Sequence, residues 1–196
     1  MSKVNLPKTE RGQETLDKIC KSAEQLFSEK GYYNTSINDI ANKAGVAPGT
    51  IYIYFKDKLT VFQYLIHDLN YNLRKKIAIA SKDCKTRYEI EYTGMKTFFD
   101  FVSEHRGLFK IIWEAQFVDY SIFQDYYENF SNRYIVGLKK AQQNKEIIDI
   151  DLETLSYCLI GIANFISLKW IIFDNKPVTD EVVENIMKIL KHGIFR

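Results

Sequence analysis

Residues Thr35 to Phe55 read TSINDIANKAGVAPGTIYIYF, and their order describes two short helices joined by a tight turn. Ser36 is an N-cap residue type, and Asp39 follows three positions later, as in a capping box. Ile37, Ile40 and Ala41 recur at i, i+3 and i+4, giving one apolar face of a short helix. Gly45 comes where a chain leaving a helix often needs a left-handed residue. Pro48 suits the first turn of a new helix, because its missing N–H has no helical partner there. Ile51 and Phe55, four apart, are expected to face the core, with Thr50 and Tyr54 facing elsewhere. A helix, a short glycine-containing turn and a second short helix make a helix-turn-helix over about residues 35–54.

The flanks extend the pattern. Leu26-Phe27, Lys30-Gly31-Tyr32, Thr35-Ser36, Asp39-Ile40-Ala41, Ala44-Gly45-Val46, Gly49-Thr50-Ile51-Tyr52, Tyr54-Phe55 and Lys58 stand in an order and spacing that resemble the TetR family of bacterial transcriptional regulators. The resemblance spans roughly residues 12 to 66; the rest of the chain resembles the family only in length and helical character. Two positions depart. Ala47 stands where the family often has a serine that caps the recognition helix, at a cost of about 1 kcal/mol. Leu59 stands where it often has a glutamate.

The chain has 196 residues, enough for one large domain or two small ones, with an ordinary hydrophobic content of 46%. Nine glycines and three prolines leave few breaks, so long helices are expected. Leu159 to Phe173 is the most apolar stretch; interrupted by Asn164, Ser167 and Lys169, it reads as too short and too polar for a membrane span. The N-terminal MSKVNLPKTERG lacks an apolar signal core, and the expected location is cytoplasmic. Cys20 and Cys158 lie in apolar helical patterns and read as buried free thiols; Cys84, beside Lys82 and Lys85, could alternatively sense redox state. His67, His105 and His192 lack a second ligand at helical spacing, so no metal site is expected. No phosphate loop or nucleophile motif is present, so neither catalytic residues nor a cofactor is expected. Residues 1–82 carry 13 Lys/Arg against 8 Asp/Glu, whereas residues 83–196 carry 14 against 17. A basic first part fits contact with nucleic acid.

The expected architecture is all-α, with about nine helices: a three-helix N-terminal head over residues 1–66 and a helical ligand-binding and dimerisation domain over 67–196. Helices are expected at about Glu14–Lys30, the two described above, Lys58–Ala80, Thr86–Glu104, Leu108–Phe117, Ser121–Gln143, Glu153–Phe173 and Thr179–His192. Gly107, Asn144-Lys145-Glu146 and Asp174-Asn175-Lys176-Pro177 mark breaks.

The major groove admits one α-helix, and the second helix of such a motif normally supplies it. Here that helix is Pro48 to Tyr54, with Thr50 able to hydrogen-bond, Ile53 able to touch a thymine methyl, and Gly49 allowing close backbone approach. The resemblance implies phosphate contacts from Tyr52, Tyr54 and Lys58, and from Thr35 or Ser36. Each has a plainer alternative: Tyr52 or Tyr54 as core, Lys58 as a solvated charge, Ser36 as a cap alone. Lys3, Lys8 and Arg11 could form a basic arm or a solvated tail.

A reader this short needs a two-fold partner on a palindromic operator. Leu155, Leu159, Ile162, Ile166 and Trp170 form one stripe of a helix that is apolar nearly all round, and Val183, Ile186 and Leu190 belong to the last helix. In the family the last two helices form the dimer interface, so these residues are assigned to it. Phe98, Phe101, Phe109, Trp113, Phe117, Phe123, Tyr127 and Phe130, with Asn164 as a polar group, are candidates for a pocket holding a small hydrophobic ligand, with plain core as the alternative. Glu114 and Gln116 are further polar candidates. The expected function is a homodimeric, ligand-responsive transcriptional regulator, a repressor released from DNA by an apolar molecule. The alternative is a DNA-bound structural protein on the same fold.

Overall fold

The computed structural model describes residues 4–192. Among these residues there are helices and no strands: α1 (Glu10–Lys30), α2 (Ile37–Ala44), α3 (Pro48–Tyr54), α4 (Lys58–Ala80), α5 (Arg87–Glu104), α6 (Arg106–Val118), α7 (Tyr120–Gln143), α8 (Leu152–Ser167), a π-helical continuation (Leu168–Phe173) and α9 (Asp180–His192). The all-α architecture is that expected from the sequence. The chain divides into two compact units, one comprising residues up to Asn70 with Gly107–Tyr126, the other Tyr71–Arg106 with residues from Tyr127 on. Each is described by itself.

In the first unit, Thr9 caps α1 by accepting from the Gly12 N–H at 3.2 Å. Leu16, Ile19, Ala23, Leu26 and Phe27 follow on one buried stripe. Ser36 and Asp39 complete the capping box of α2, and Gly45 ends it with φ at 68°, a left-handed backbone that a β-carbon disfavours. Helix α3 opens on Pro48 after Ala47, which offers no side-chain cap. Asp57 caps α4, accepting from the Thr60 N–H at 2.8 Å and its hydroxyl at 2.7 Å. Phe62 of α4 packs edge-on against Phe27 and Tyr32, with centroids 5.3 and 5.0 Å away.

Helix α6 belongs to this same unit. It starts at Arg106, so Gly107 lies inside its first turn and is not the expected break. A β-carbon at Gly107 would stand 2.5 Å from Cβ of Ser28; the glycine is what lets α6 approach α1. Leu108, Phe109, Ile111, Ile112 and Ala115 are its buried face.

In the second unit, α5 packs against α8 and α9. Ser131 of α7 and Ser156 of α8 share a buried hydrogen bond of 2.6 Å. Arg87, itself buried, pairs with Glu91 one turn along α5. Tyr134 of α7 donates its hydroxyl to the other Glu91 oxygen, and the Arg87 N–H donates to Glu146 at 2.5 Å. A β-carbon at Gly137 would stand 2.7 Å from Nη1 of Arg87, so the glycine leaves room for the guanidinium. Burial, with the Glu91 charge beside it, pushes the Tyr134 phenol well above its usual pKa.

The helical run Leu152–Phe173 is 22 residues long, and by length and composition it could cross a membrane. That corrects the expectation of a stretch too short and too polar, because α8 starts seven residues before Leu159 and carries on through the π-helical turn. In the second unit it buries Ser156, Leu159, Ile160, Ala163 and Ser167.

Candidate nucleic-acid interface

Helix α3 is seven residues long, and its two sides differ sharply. Inward, Ile51 is fully buried and Tyr54 is 8% exposed. Outward, Tyr52 is 55% and Ile53 61% exposed, and Pro48 and Gly49 are exposed as well. Thr50 is half-buried. A β-carbon at Gly49 would meet nothing within 4 Å. Apolar side chains exposed on a short anchored helix have little to gain from water and are free to meet a base edge or a methyl group.

The assignment of Tyr54 is corrected. Its ring lies inside the head and its hydroxyl donates to the Gly12 carbonyl at 3.2 Å. In a helix, position 54 sits one turn after 50 and three after 51, so the ring falls on the flank of the Ile51 stripe. Thr35 is corrected likewise: it is 1% exposed, and its hydroxyl donates to Gly31 at 2.8 Å and to Leu26 at 3.3 Å. Its role is to close the turn after α1. Lys58 is the third correction. Its ammonium donates to the Tyr32 and Thr35 carbonyls at 2.7 and 2.8 Å and lies 4.1 Å from the Tyr32 ring centre. Burial lowers its pKa, and the Glu114 charge partly offsets this.

Ser36 is exposed at the start of α2. Its hydroxyl donates to Asp39 at 2.6 Å and accepts from the Asp39 N–H at 3.1 Å. The Ser36 hydroxyl and the Ser36 backbone N–H, which donates to the same carboxylate at 2.8 Å, hold the Asp39 carboxyl below its ordinary pKa. Exposed cations near the motif include Lys43, in the last turn of α2, and Lys56, just after α3. Neither stood out by pattern, since isolated lysines carry no periodic signal.

Further contacts in the head join residues far apart in sequence. Glu114 of α6 accepts from the Tyr32 N–H at 2.8 Å, and Tyr33 donates to the Phe117 carbonyl at 2.8 Å. Glu114 is therefore engaged with the turn before α2 and is not a free polar group for a ligand. Gln116 donates to the Trp113 carbonyl within α6 at 2.8 Å. Asn5 donates twice to the end of α3, from its N–H to Tyr54 at 3.0 Å and from its side-chain amide to Ile53 at 3.1 Å. Of the basic residues that could form an arm, Lys8 and Arg11 are exposed, and Lys3 lies outside the described residues.

The candidate pocket residues fall in both units. Phe109, Trp113, Phe117 and Phe123 belong to the first; Phe98, Phe101, Tyr127, Phe130 and Asn164 belong to the second. Phe109 and Trp113 stack with centroids 5.8 Å apart, while Phe117 is 74% exposed. Phe98 and Phe101 are buried. Burial pushes the Tyr127 phenol up to about 12. An open cleft of about 900 Å³ in the second unit is lined by Ala80, Cys84, Tyr88, Tyr92, Thr93 and Lys188 among others, and by none of the nine candidates. Among the described residues no cluster of His, Cys, Asp or Glu could hold a metal ion.

The expected interface residues also divide. Leu159, Val183 and Ile186 are buried within the chain, where α5 packs against α8 and α9, so a partner cannot reach them. Leu155, Ile162, Ile166, Trp170 and Leu190 are half-buried. The exposed apolar side chains of this region are instead Tyr157, Phe165, Phe173 and Ile189. Cys158 is exposed beside Tyr157, contrary to the expectation of a buried thiol. The period of the helix identified an apolar surface all round but could not say which arc its own subunit covers.

A capped helix, a left-handed turn and a short helix with a bare outer face, on an all-α chain, define the class: a helix-turn-helix regulator. Residues 19–65 match the family model described as bacterial regulatory proteins, tetR family. Over these residues the head of the chain is similar to the DNA-binding domain of TetR-family transcriptional regulators. The Bacillus subtilis HTH-type transcriptional regulator YdgC is 23% identical over 196 residues, covering 94% of this chain and 95% of its own. Among solved structures, the fatty acid degradation regulator FadR from Bacillus halodurans superposes with a TM-score of 0.83 at 20% identity, covering 96% of this chain and 98% of its own. FadR from Bacillus subtilis, in complex with stearoyl-CoA, gives 0.82 at 21%, covering 91% and 99%. At these identities the superpositions establish the fold.

Proposed function

We propose that the protein is a homodimeric transcriptional repressor that places α3 in the major groove of a palindromic operator and leaves it when a small apolar molecule binds. The observation that carries this reading is the two-sided helix α3. Ile51 and Tyr54 fix it to the head, Tyr52 and Ile53 are presented outward, and Thr50 is half-buried. Ser36, Pro48 and Gly49 stand exposed around it. Side chains on this surface sort into base-reading candidates, Thr50 and Ile53, and backbone-positioning candidates, Tyr52 and Ser36. Lys58 contributes through the turn it holds.

Seven residues can specify few base pairs, so a second copy is needed to reach useful discrimination. The exposed Tyr157, Phe165, Phe173 and Ile189 are the surface proposed to meet it. The aromatic residues Phe98, Phe101, Tyr127 and Phe130 of the second unit are the proposed ligand site, and binding there would favour a state in which the two copies no longer match adjacent grooves. The stearoyl-CoA held by the Bacillus subtilis neighbour makes long-chain acyl-CoA the first class to test. This reading places the protein with the DNA in the bacterial cytoplasm.

The test is selection of duplexes from a random pool by the full chain, followed by titration of the winner. A two-fold-symmetric preferred sequence, bound by two chains per site, is expected. Binding with no sequence preference would overturn the reading. Long-chain acyl-CoA added to the complex should release the duplex and raise the melting temperature of the free protein.

A further inference from the structure

The geometry points to Asn5 as a positioning residue of the DNA reader, holding α3 from its C-terminal end; this rests on the reading of α3 as the recognition helix. A helix of seven residues is too short to be stable alone, and Ala47 leaves its N-terminus without a side-chain cap. The final carbonyls of any helix lack intrahelical partners. In α3 the Ile51 carbonyl is taken by the Phe55 N–H at 2.9 Å. The next two that receive a donor, Ile53 and Tyr54, both receive it from Asn5, 48 residues away from Ile53 in sequence. The backbone N–H serves Tyr54 and the side-chain amide serves Ile53. One residue thus fixes the carbonyl end of the helix whose exposed Tyr52 and Ile53 are to meet the duplex.

The segment carrying Asn5 is itself tied down. Pro7 lies against Gly12, where an added β-carbon would stand 2.8 Å from Cβ of Pro7. The Tyr54 hydroxyl donates to the Gly12 carbonyl, so the start of α1 and the end of α3 share an anchor. Residues 5 to 12 therefore form a strap from α1 to the end of α3. Asn5 is exposed, and hydrogen bonds in water contribute little to stability. Their consequence is the placement of a short helix, where small displacements alter which side chains reach base edges.

The experiment uses the full chain, a preferred duplex from selection and a scrambled duplex of equal length. Asn5→Ala removes the amide donor to Ile53. Gly12→Ala displaces Pro7 by a different route. Asn5→Ala should lower the ratio of preferred to scrambled affinity by about fivefold, the scale of one lost hydrogen bond, and Gly12→Ala should lower it as well. For Asn5→Ala the melting temperature and the salt slope on scrambled DNA should not move. Tyr52→Ala serves as the control on the contact surface. An unchanged ratio in both strap variants, with Tyr52→Ala weakening binding, overturns the role of Asn5 and leaves the DNA reading intact. A lowered melting temperature with parallel loss on both duplexes makes Asn5 merely structural and also overturns it. A parent chain that prefers no sequence removes both this role and the DNA reading.

Discussion

Helices α3 and α8 both expose large apolar side chains, yet the two exposures differ in kind. On α3, Tyr52 and Ile53 stand out from a short helix beside exposed polar and charged residues, among them Ser36, Lys43 and Lys56. On α8 and its π-helical continuation, Tyr157, Phe165 and Phe173 follow one another at helical spacing, with Gly161 open between them. Wet, charged surroundings suit a polyanion, whose phosphates need cations and hydroxyls around a few apolar reading contacts. A longer apolar arc suits a protein surface that excludes water. Apolar exposure alone therefore does not identify a partner; the polar rim decides.

The interiors differ as well. In the head, Lys58, Thr35 and Glu114 each hold backbone groups of the residue 26–35 region. In the second unit the principal buried polar cluster joins side chain to side chain: Arg87, Glu91 and Tyr134. Backbone-directed contacts shape a turn, whereas a side-chain cluster fixes which helices pack. The largest expected effect follows from this. Arg87→Met leaves the Glu91 carboxylate nearly buried without its cation and should lower stability by about 3 kcal/mol, read as a shift in urea midpoint. A loss below about 1 kcal/mol would mean that the cluster is no firmer than an exposed pair, and the contrast between the interiors would fall.

The outer surfaces are separated by charge insertion. Phe165→Asp, on a residue 64% exposed, should leave the fold intact but convert dimer to monomer in sedimentation, with operator affinity falling at least about tenfold. The same substitution at Ile53, 61% exposed, should leave sedimentation unchanged and abolish DNA binding. If Phe165→Asp remains dimeric, the arc on α8 is not the interface.

The tyrosines of α3 sharpen the comparison on a finer scale. Tyr52→Phe should weaken binding to all duplexes by about threefold with no change in melting temperature, as loss of one phosphate hydrogen bond would. Tyr54→Phe should do the reverse, lowering stability slightly through the lost contact to Gly12 and leaving scrambled-DNA affinity unchanged.

Much of the head was legible because its signals are local. Ser36 with Asp39, Gly45 and Pro48 act within three or four residues of themselves, and each did as its chemistry required. What was misread lies where a side chain acts at a distance. Tyr54, Thr35 and Lys58 have the polar groups of phosphate contacts, but their partners are Gly12, Leu26, Gly31 and Tyr32, which no spacing rule connects to them. Asn5 carried no pattern at all. Helix α6 illustrates the same gap: its amphipathic period gave its face, but only the close approach at Gly107 and the Glu114 bond to Tyr32 show that it packs with the head. On α8 the hydrophobic period was real but all-round, so Leu159 read as interface when it is core.

The smallest effect concerns alkaline pH. Burial, with Asp68 adding to it, pushes the Cys20 thiol up to about 12, and burial with Asp68 pushes Tyr64 up to about 12 as well. Both folded values are raised above the ordinary ones, so the folded state retains these protons after the unfolded chain has lost them. The stability they contribute is complete below about pH 9 and is lost as pH rises toward 12. Cys20→Ala should therefore flatten the fall in stability between pH 9 and 11 relative to the parent. Urea midpoints at pH 7, 9 and 10.5 measure this. Equal slopes for parent and Cys20→Ala would show that the thiol ionises as freely in the folded head as in the unfolded chain, and burial at Cys20 would then carry no electrostatic consequence.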